Sequence, residues 1–400
     1  MKNKPELWIS ENWQKKSQPN AKLHFIEEFS VFSDCYLGGQ ICNEKCPYHF
    51  LNNTCQEYSP ILLPRYTLRI KTYHTNDVED KLGNFDIDID DSTKLTVPSK
   101  ITGSDKLEDF YIDLDDSTKL TVLLSLCLGI RLKIGCKTRI TRSDPLGQPQ
   151  YENTQKNLLP LKLINNRYIL PGLINSNKIK MRECSGVFLN SDKLNRENMI
   201  KLLKSANLYC QAIWIAEHEP NLAWVLFVSA IENAAKYYWE NRNIDKISTL
   251  KDNCPEIFSL LKSERENKKS KSKNPKLTIT EKFIAFIIHF FPEEPPSRPS
   301  EIGRIIWEKK QFYHYLDKIY DYRSRTLHNG YQFPTEMLRP PEIDPCTINS
   351  TEKLLMEKPY SYTYTGGQSL ATEEKPMNLH TFEYVVRKAL IKWWNELLTI

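Results

Sequence analysis

Arg323 and His328, five residues apart in the stretch YDYRSRTLHNG, are residue types that can bind an anion and transfer a proton. An arginine is a fixed cation whose planar fork of donors matches two oxygens of an anion. A histidine gains or loses its proton near neutral pH. Phe312, Leu316 and Ile319 precede the pair at helical spacing, and Arg323 takes the next position of that apolar stripe. A guanidinium there must pair with an acid or line a cleft that binds an anion.

Glu232 is the candidate acid for this pairing. It is one of the few charges in the segment 221–239, which is apolar nearly all round and is therefore predicted to be a helix enclosed by others. Lys236 follows Glu232 by four residues, and an acid before a base at this spacing stabilises a helix locally. The sequence leaves open whether Glu232 pairs with Arg323 or with Lys236.

The position of His328 depends on how its helix ends. In an ideal α-helix a residue five positions further on lies about 140° round the axis, so His328 and Arg323 would face different sides. Asn329 and Gly330 form a typical helix stop. A relaxed last turn at this stop would bring the imidazole towards the guanidinium.

Two segments of the sequence resemble a known family of helical proteins. The stretch YDYRSRTLHNG is similar to the Arg-x4-6-His signature of the HEPN superfamily, and its Tyr-x-x-Arg-Ser frame resembles the Apea-like HEPN group of prokaryotic defence proteins. The stretch AIENAAKYY resembles the preceding HEPN helix, which implies a supporting role for its Glu232 and Lys236. The resemblance covers roughly residues 195–400. Arg69 and His74 share the spacing but lie in a strand-like alternation.

The resemblance implies a metal-independent endoribonuclease that requires no cofactor for catalysis. The 2′-hydroxyl of RNA would attack the adjacent phosphate and leave a 2′,3′-cyclic phosphate and a free 5′-hydroxyl. His328 would act as general base or general acid, and Arg323 would stabilise the charge that develops on the phosphoryl oxygens. Ser324 and Asn329 would orient these groups or contact the substrate, and Arg325 would contact the RNA backbone.

The resemblance also implies partners and a biological setting. HEPN domains commonly pair so that two motifs face one cleft, which implies a homodimer. The implied role is anti-phage defence by abortive infection, set off by a phage-derived trigger. The alternatives are a module that binds RNA or a protein partner without cutting, and a toxin subunit controlled by a separate antitoxin.

The segment 262–276 carries a concentration of positive charge. It holds seven Lys or Arg residues against two Glu, a net +5 that equals the formal charge of the whole chain. Runs of like charge are typical of solvated loops. The alternative is an arm that attracts RNA phosphates. Its side chains would include a central lysine group, Lys268, Lys269, Lys271 and Lys273.

A cysteine-rich segment in the first half has the composition of a zinc site. Cys42, Cys46, His49 and Cys55 could hold a structural zinc ion tetrahedrally within a small loop, residues 35–55, with Cys35 as a substitute ligand. Free thiols and a disulfide are the alternatives. The cysteines outside this segment lie among apolar residues and are predicted to fill the core.

The first half of the chain contains strand signals and a duplication. The alternation in 65–75 predicts a half-buried strand. Residues 85–97 and 110–122 agree at eleven of thirteen positions, and each copy is interpreted as a strand, a polar turn and a second short strand. A calcium loop is disfavoured because the repeat lacks the required Gly and terminal Glu.

The chain as a whole is predicted to be an α+β protein of two domains. The length of 400 residues exceeds what one core usually organises. Residues 1–190 are predicted to form a mixed α/β domain that senses or recruits, and residues 191–400 an all-α HEPN-type helical bundle. No stretch has the composition of a secretory signal or a membrane span, so a cytoplasmic location without membrane contact is expected.

Details of the helical half are also predicted. Ser191 or Asp192 is expected to cap its first helix, and Thr280 a later one. A single helix is expected over 301–328. The Pro-rich and Ser-rich connection 339–376 is expected to be exposed, and a last helix is expected over 378–398.

Overall fold

A computed structural model describes the strands and helices of the chain together with several connecting segments. The described residues are 22–33, 37–38, 48–52, 65–74, 116–142, 167–171, 179–180, 194–244, 246–267, 276–359, 364–365, 368–369 and 375–399.

The described strands of the first half form an antiparallel sheet of four strands in the order β3-β4-β1-β5. Its strands are β1 (Lys22–Ser33), β3 (Tyr48–Asn52), β4 (Arg65–His74) and β5 (Leu132–Arg142). Two short strands, β2 (Leu37–Gly38) and β6 (Ile179–Lys180), pair in parallel. The strand predicted from the alternation in 65–75 is confirmed as β4, and Arg69 and His74 lie in it.

The second copy of the duplicated unit is not a strand-turn-strand. Residues 116–128 form helix α1 (Asp116–Leu128), so the predicted turn and short strand are wrong there. The copy runs directly into the apolar stretch 123–128, whose leucines favour a helix and are buried. The first copy, residues 85–97, lies outside the described residues.

The described part of the chain after residue 194 is mainly helical, as predicted, and is compatible with a helical bundle. Its helices are α2 (Arg196–Ile215), α3 (Pro220–Asn241), α4 (Ile247–Asn253), α5 (Pro255–Asn267), α6 (Ile279–His289), α7 (Lys309–Asn329) and α8 (Leu379–Leu397). Two strands of two residues, β7 (Tyr364–Thr365) and β8 (Gln368–Ser369), pair between α7 and α8.

Helix α3 lies at the centre of the helical core, as its apolar sequence predicts. It contacts α2, α6, α7 and α8. Trp224 of α3 stacks on Phe333 and on Phe382, with ring centroids 5.2 and 4.8 Å apart respectively. Helix α1 packs on α2 and α8, so residues 119–132 belong to the same hydrophobic core. The domain boundary near residue 190 stays a prediction.

Three helix starts differ from the predictions. Asn195, rather than Ser191 or Asp192, caps α2 by accepting the backbone N–H of Asn198 at 2.8 Å. Thr278, rather than Thr280, caps α6 in a capping box with Glu281. The first residues of the helix predicted over 301–328 are not helical, and α7 begins at Lys309.

The segment 301–308 is non-helical because its backbone bonds elsewhere. The Glu357 carboxylate accepts the N–H of Ile305 at 2.9 Å, and the Gly303 carbonyl accepts the N–H of Glu357 at 2.8 Å. These long-range bonds compete with a helix ladder. Sequence periodicity cannot reveal them.

The described part of the connection 339–376 is not simply exposed. Asp344 is fully buried and accepts hydrogen bonds from the backbone N–H and the hydroxyl of Ser300. Met356 is buried and Glu357 is 4% exposed. These buried residues bind the connection to the segment 300–307. The prediction that the connection is exposed is therefore wrong at Asp344, Met356 and Glu357.

None of the helices in the described ranges is long and apolar enough to cross a membrane.

Candidate anion-binding site

Arg323 continues the buried stripe of α7. Phe312, Leu316 and Ile319 are fully buried on the side of α7 that faces the core. The next position of this stripe directs Arg323 towards the same core, where its side chain is 17% exposed. The structure therefore confirms that a guanidinium occupies a position where the pattern calls for an apolar residue.

Glu232 of α3 receives this guanidinium. The Arg323 Nη2 group donates to Glu232 Oε2, and the Glu232 side chain is 15% exposed. The Tyr320 hydroxyl donates to the other carboxylate oxygen at 2.7 Å. The Arg323 guanidinium also lies over the Tyr320 ring, 5.5 Å from its centroid. The predicted pairing of Arg323 with Glu232 is confirmed.

The Tyr320 hydroxyl keeps its proton in this cluster. Burial and the adjacent Glu232 raise the pKa of the Tyr320 hydroxyl to about 12, so Tyr320 stays a hydrogen-bond donor at physiological pH. Lys236 is exposed, and no salt bridge joins it to Glu232 within the described residues. Of the two pairings that the sequence leaves open for Glu232, the structure contains the one with Arg323.

The guanidinium of Arg323 is only partly satisfied. A guanidinium carries five N–H donors. The Nη2 group is bound to Glu232, whereas the buried Nε–H has no acceptor among the described residues. A buried donor without an acceptor is costly, so this Nε–H is a candidate for pairing with an anion that enters the site.

His328 lies in the last turn of the same helix and is exposed. Helix α7 stays regular through Asn329, and Gly330 ends it in the left-handed conformation with φ 71°. The N–H groups of Gly330 and Tyr331 bond to the carbonyls of Thr326 and Arg325, a Schellman stop. The last turn therefore does not relax, and His328 leaves α7 about 140° round from the arginine five residues earlier.

The other residues predicted around the pair lie on the surface of α7. Ser324 is half-buried and Asn329 is exposed. Arg325 forms an ion pair with Asp321 at 2.5 Å, and both side chains are more than half exposed. Such a pair is weak in water, so Arg325 can exchange it for another anion.

Exposed apolar side chains flank His328. Leu327 is 52% exposed and Tyr331 is 64% exposed, although both are large. Leu327 directly precedes His328 in the chain, and Tyr331 follows it by three residues. This end of α7 therefore combines a titratable group with apolar surface that is suited to a partner.

A basic pocket of about 390 Å³ lies near the start of α7. Arg304, Lys358 and Lys375 contribute cations to its lining, against one acid, Glu301, and Trp307 forms part of its wall. The Arg304 guanidinium donates from Nε to the Pro299 carbonyl at 3.2 Å, which holds it in place. The excess of positive charge suits an anionic group.

Another arginine of this pocket, Arg298, is already neutralised. It binds Glu357 through two nitrogens at 2.7 Å each, Glu294 at 2.8 Å and the Ile305 carbonyl at 2.6 Å. Its role is to fix the pocket wall rather than to bind a ligand. Sequence reasoning missed the pocket because its residues come from separate segments with no common spacing.

Several predicted ligand residues fall outside the described residues. The basic lysines Lys268, Lys269, Lys271 and Lys273 are among them, as are Cys35, Cys42, Cys46 and Cys55. His49 belongs to strand β3, but its side chain is not described. Within the ranges the structure describes, no cluster of His, Cys, Asp and Glu could hold a metal ion. The zinc prediction stays a prediction.

Comparisons of this chain with protein-family models, with curated proteins and with solved structures found no match.

Proposed function

We propose that this protein is a metal-independent endoribonuclease in which Arg323 binds the reacting phosphate and His328 transfers a proton. The observation that carries the proposal is the partly satisfied guanidinium of Arg323, fixed by Glu232 and Tyr320 on the helix that ends at His328. A preorganised cation of this kind stabilises charge that develops during a reaction without reorganising itself.

The chemistry needs only RNA and these side chains. The 2′-oxygen forms a bond to phosphorus, and the bond from phosphorus to the 5′-oxygen breaks. One proton leaves the 2′-hydroxyl and one joins the 5′-oxygen, and His328 serves one or both transfers. Arg323 binds the nonbridging oxygens, whose negative charge grows in the transition state.

The geometry of α7 favours a site shared by two copies of the chain. Arg323 and His328 leave one helix on different sides, so one protomer does not bring both to the same phosphate. In a symmetric dimer a patch beside His328 meets its own copy. The exposed Leu327 and Tyr331 supply apolar area for that contact. Arg323 of one protomer and His328 of its partner then act on one phosphate.

The basic pocket gives this RNase a second contact with its substrate. Tyr315 lines the pocket and precedes Arg323 by eight residues on α7, which is about 12 Å along the helix. This is the span of a few nucleotides. Arg304 and Lys358 are therefore proposed to hold phosphates that flank the cleaved bond.

A binding module that does not cut is the second candidate. The neutralisation of Arg323 by Glu232 and its separation from His328 within one chain favour it. Such a module would hold RNA or a protein partner through the same cationic surface. Regulation by a phage-derived trigger or by an antitoxin is compatible with either candidate.

Cleavage of mixed cellular RNA by the purified full chain tests the proposal. Wild type is expected to cut in EDTA and to leave 2′,3′-cyclic phosphate ends, whereas His328→Ala is expected to leave the RNA intact. His314→Ala is the matched control, because His314 is a half-buried histidine of the same helix whose side chain is 44% exposed. Intact RNA bound by both wild type and His328→Ala would support the binding module, and equal cutting by wild type and His328→Ala would remove His328 from the mechanism.

A further inference from the structure

Cys254, His289, Tyr238 and Glu396 come together in the structure from four separate parts of the chain. Cys254 lies between α4 and α5, His289 ends α6, Tyr238 belongs to α3 and Glu396 to α8. Cys254 Sγ lies 3.6 Å from His289 Nδ1. The other ring nitrogen, Nε2, lies 2.7 Å from the Tyr238 hydroxyl and 3.7 Å from Glu396 Oε2.

This arrangement has the parts of an activated nucleophile. One imidazole nitrogen faces the thiol, and the opposite nitrogen is oriented by a hydroxyl and a carboxylate. A histidine held in this way can take the thiol proton and keep it, because Glu396 stabilises the imidazolium. A thiolate, rather than a thiol, is the form of cysteine that attacks electrophiles.

Cys254 lies at the junction of two helices. It is the C-terminal cap of α4, and its carbonyl accepts the N–H of Phe258 at 3.0 Å, so it is also the N-terminal cap of α5. The first turn of α5 stabilises negative charge at this position, and the C-terminus of the shorter α4 acts against it. Helix α5 has 13 residues, which is long enough for this effect.

Two charged groups, Glu396 and Arg242, lie next to His289 and Tyr238. Burial acts to lower the pKa of the His289 imidazole, but its hydrogen bonds to Cys254 and Glu396 outweigh this effect and raise the pKa to about 9. Arg242 forms an ion pair with Glu396 and lies over the Tyr238 ring, 4.6 Å from its centroid.

The first turn of α5 also carries an acid beside this cluster. This acid, Glu256, is neutralised by Lys309 at 2.5 Å.

We propose that the Cys254 sulfur, held beside His289, is a reactive nucleophile, and that it takes small soft electrophiles such as hydrogen peroxide. Cys254 is 9% exposed and the His289 side chain is 29% exposed. With so little exposed area, the sulfur is accessible to small molecules but not to a polypeptide or an RNA strand. This site is independent of the proposed ribonuclease.

The reaction with peroxide balances with groups present at the site. The Cys254 sulfur attacks one peroxide oxygen, a bond from sulfur to oxygen forms and the O–O bond breaks. Sulfur loses two electrons and peroxide gains them. The leaving hydroxide takes the His289 proton and becomes water, which leaves cysteine sulfenic acid and a neutral imidazole.

Two other cysteines of the chain serve as internal controls. Cys346 is exposed and has no histidine hydrogen-bonded to its thiol among the described residues. Cys210 is buried, and burial raises the pKa of its thiol to about 11. Cys346 therefore shows how fast an accessible thiol reacts without an activating histidine, and Cys210 shows how fast a buried thiol reacts without one.

The test is the rate of modification of each cysteine in the full-length protein, measured by peptide mass spectrometry. One arm uses iodoacetamide between pH 5.5 and 9, and the other uses hydrogen peroxide with dimedone, which traps sulfenic acid. At pH 6 we expect Cys254 to react about tenfold faster than Cys346 in both arms, because an ordinary thiol is almost fully protonated there. Cys210 is expected to stay unmodified.

Variants separate activation from simple exposure. His289→Gln is expected to give Cys254 a pH profile that rises only above pH 8, and Glu396→Gln a smaller change in the same direction. Melting temperatures of both variants check that they fold. Reaction of wild-type Cys254 no faster than Cys346 at pH 6, or a wild-type profile that first rises above pH 8, would overturn the proposal whatever the variants do.

Discussion

Two arginine-glutamate pairs in this molecule differ in how completely their hydrogen bonds are satisfied. In the first, Arg131 and Glu217 are 0% and 1% exposed. The Arg131 guanidinium donates to Glu217 at 2.7 Å and to the Ile213 carbonyl at 2.6 Å. Glu217 also accepts the N–H groups of Ile169 and Leu170, at 2.7 and 3.1 Å. This fully hydrogen-bonded pair connects the end of α2 to the segments 130–132 and 169–170.

In the second pair, Arg323 and Glu232 are each about one-sixth exposed, and the buried Nε–H of Arg323 has no acceptor in the described part of the chain. Arg131, which is fully buried, binds through at least two of its nitrogens, Nε among them. The contrast is that one donor of Arg323 lacks a partner among the described residues, which the proposed phosphate would supply. The following predictions test this difference, from the largest expected effect to the smallest.

Breaking the pair of Arg131 and Glu217 is expected to reduce stability. Glu217→Gln leaves the buried Arg131 charge uncompensated, and we expect the free energy of unfolding to fall by about 3–5 kcal/mol. Urea denaturation measures this value. A fall below about 1 kcal/mol would show that the two pairs do not differ as described.

Replacing Arg323 by lysine is expected to reduce activity rather than stability. Arg323→Lys keeps the charge but loses bidentate binding, so the rate of RNA cleavage should fall about a hundredfold, with little change in melting temperature. Arg339→Lys, at an exposed arginine outside the proposed site, is the control and should retain the rate. Equal rates for Arg323→Lys and wild type would contradict the assigned role.

The imidazolium of His289 is expected to make stability depend on pH. Its pKa is about 9 in the folded protein, above the ordinary value of 6.5, so the folded state binds the proton more tightly. This contribution is present in full below about pH 6.5 and is lost as pH rises through about 9, a change of roughly 2 kcal/mol. Urea denaturation of wild type and His289→Gln at pH 6 and pH 9.5 should show the difference between them shrinking. A constant difference would contradict it.

Glu232→Gln tests how much the pair of Arg323 and Glu232 stabilises the fold. Because the pair is partly exposed, we expect the free energy of unfolding to fall by only about 1–2 kcal/mol, less than for Glu217→Gln. Both variants should be measured in the same denaturation series. A larger loss for Glu232→Gln would indicate that Arg323 is mainly structural.

The basic pocket is expected to contribute the smallest effect. Arg304→Ala combined with Lys358→Ala should weaken binding of single-stranded RNA about fivefold and flatten its salt dependence, because two phosphate contacts are lost. Lys310→Ala, an exposed lysine of α7, is the control. Fluorescence anisotropy at several salt concentrations measures both quantities. An unchanged salt slope would exclude the pocket from RNA binding.

The sequence predicted features that depend on neighbouring residues. The enclosed helix α3, the stop at Gly330 and the buried direction of Arg323 all follow from periodicity and turn chemistry, and the structure confirms them. The pairing with Glu232 was predictable because few other acids lie on an enclosed helix. The family resemblance and the zinc loop stay predictions.

Features that depend on long-range contacts were missed. Helix α1 replaces a predicted turn and strand because its apolar side packs on α2 and α8. The basic pocket and the contact between Cys254 and His289 join residues from separate helices and loops. Spacing along one chain carries no record of such contacts, so only the fold reveals them.

The most direct test of the shared site is a mixture of two inactive variants, Arg323→Ala and His328→Ala, after their subunits have exchanged. A dimer with one subunit of each kind retains one intact site, formed by Arg323 of one protomer and His328 of its partner. Random exchange therefore predicts recovery of about a quarter of the wild-type cleavage rate. Activity that stays at the level of the separate variants, while wild type cleaves RNA, would contradict the account.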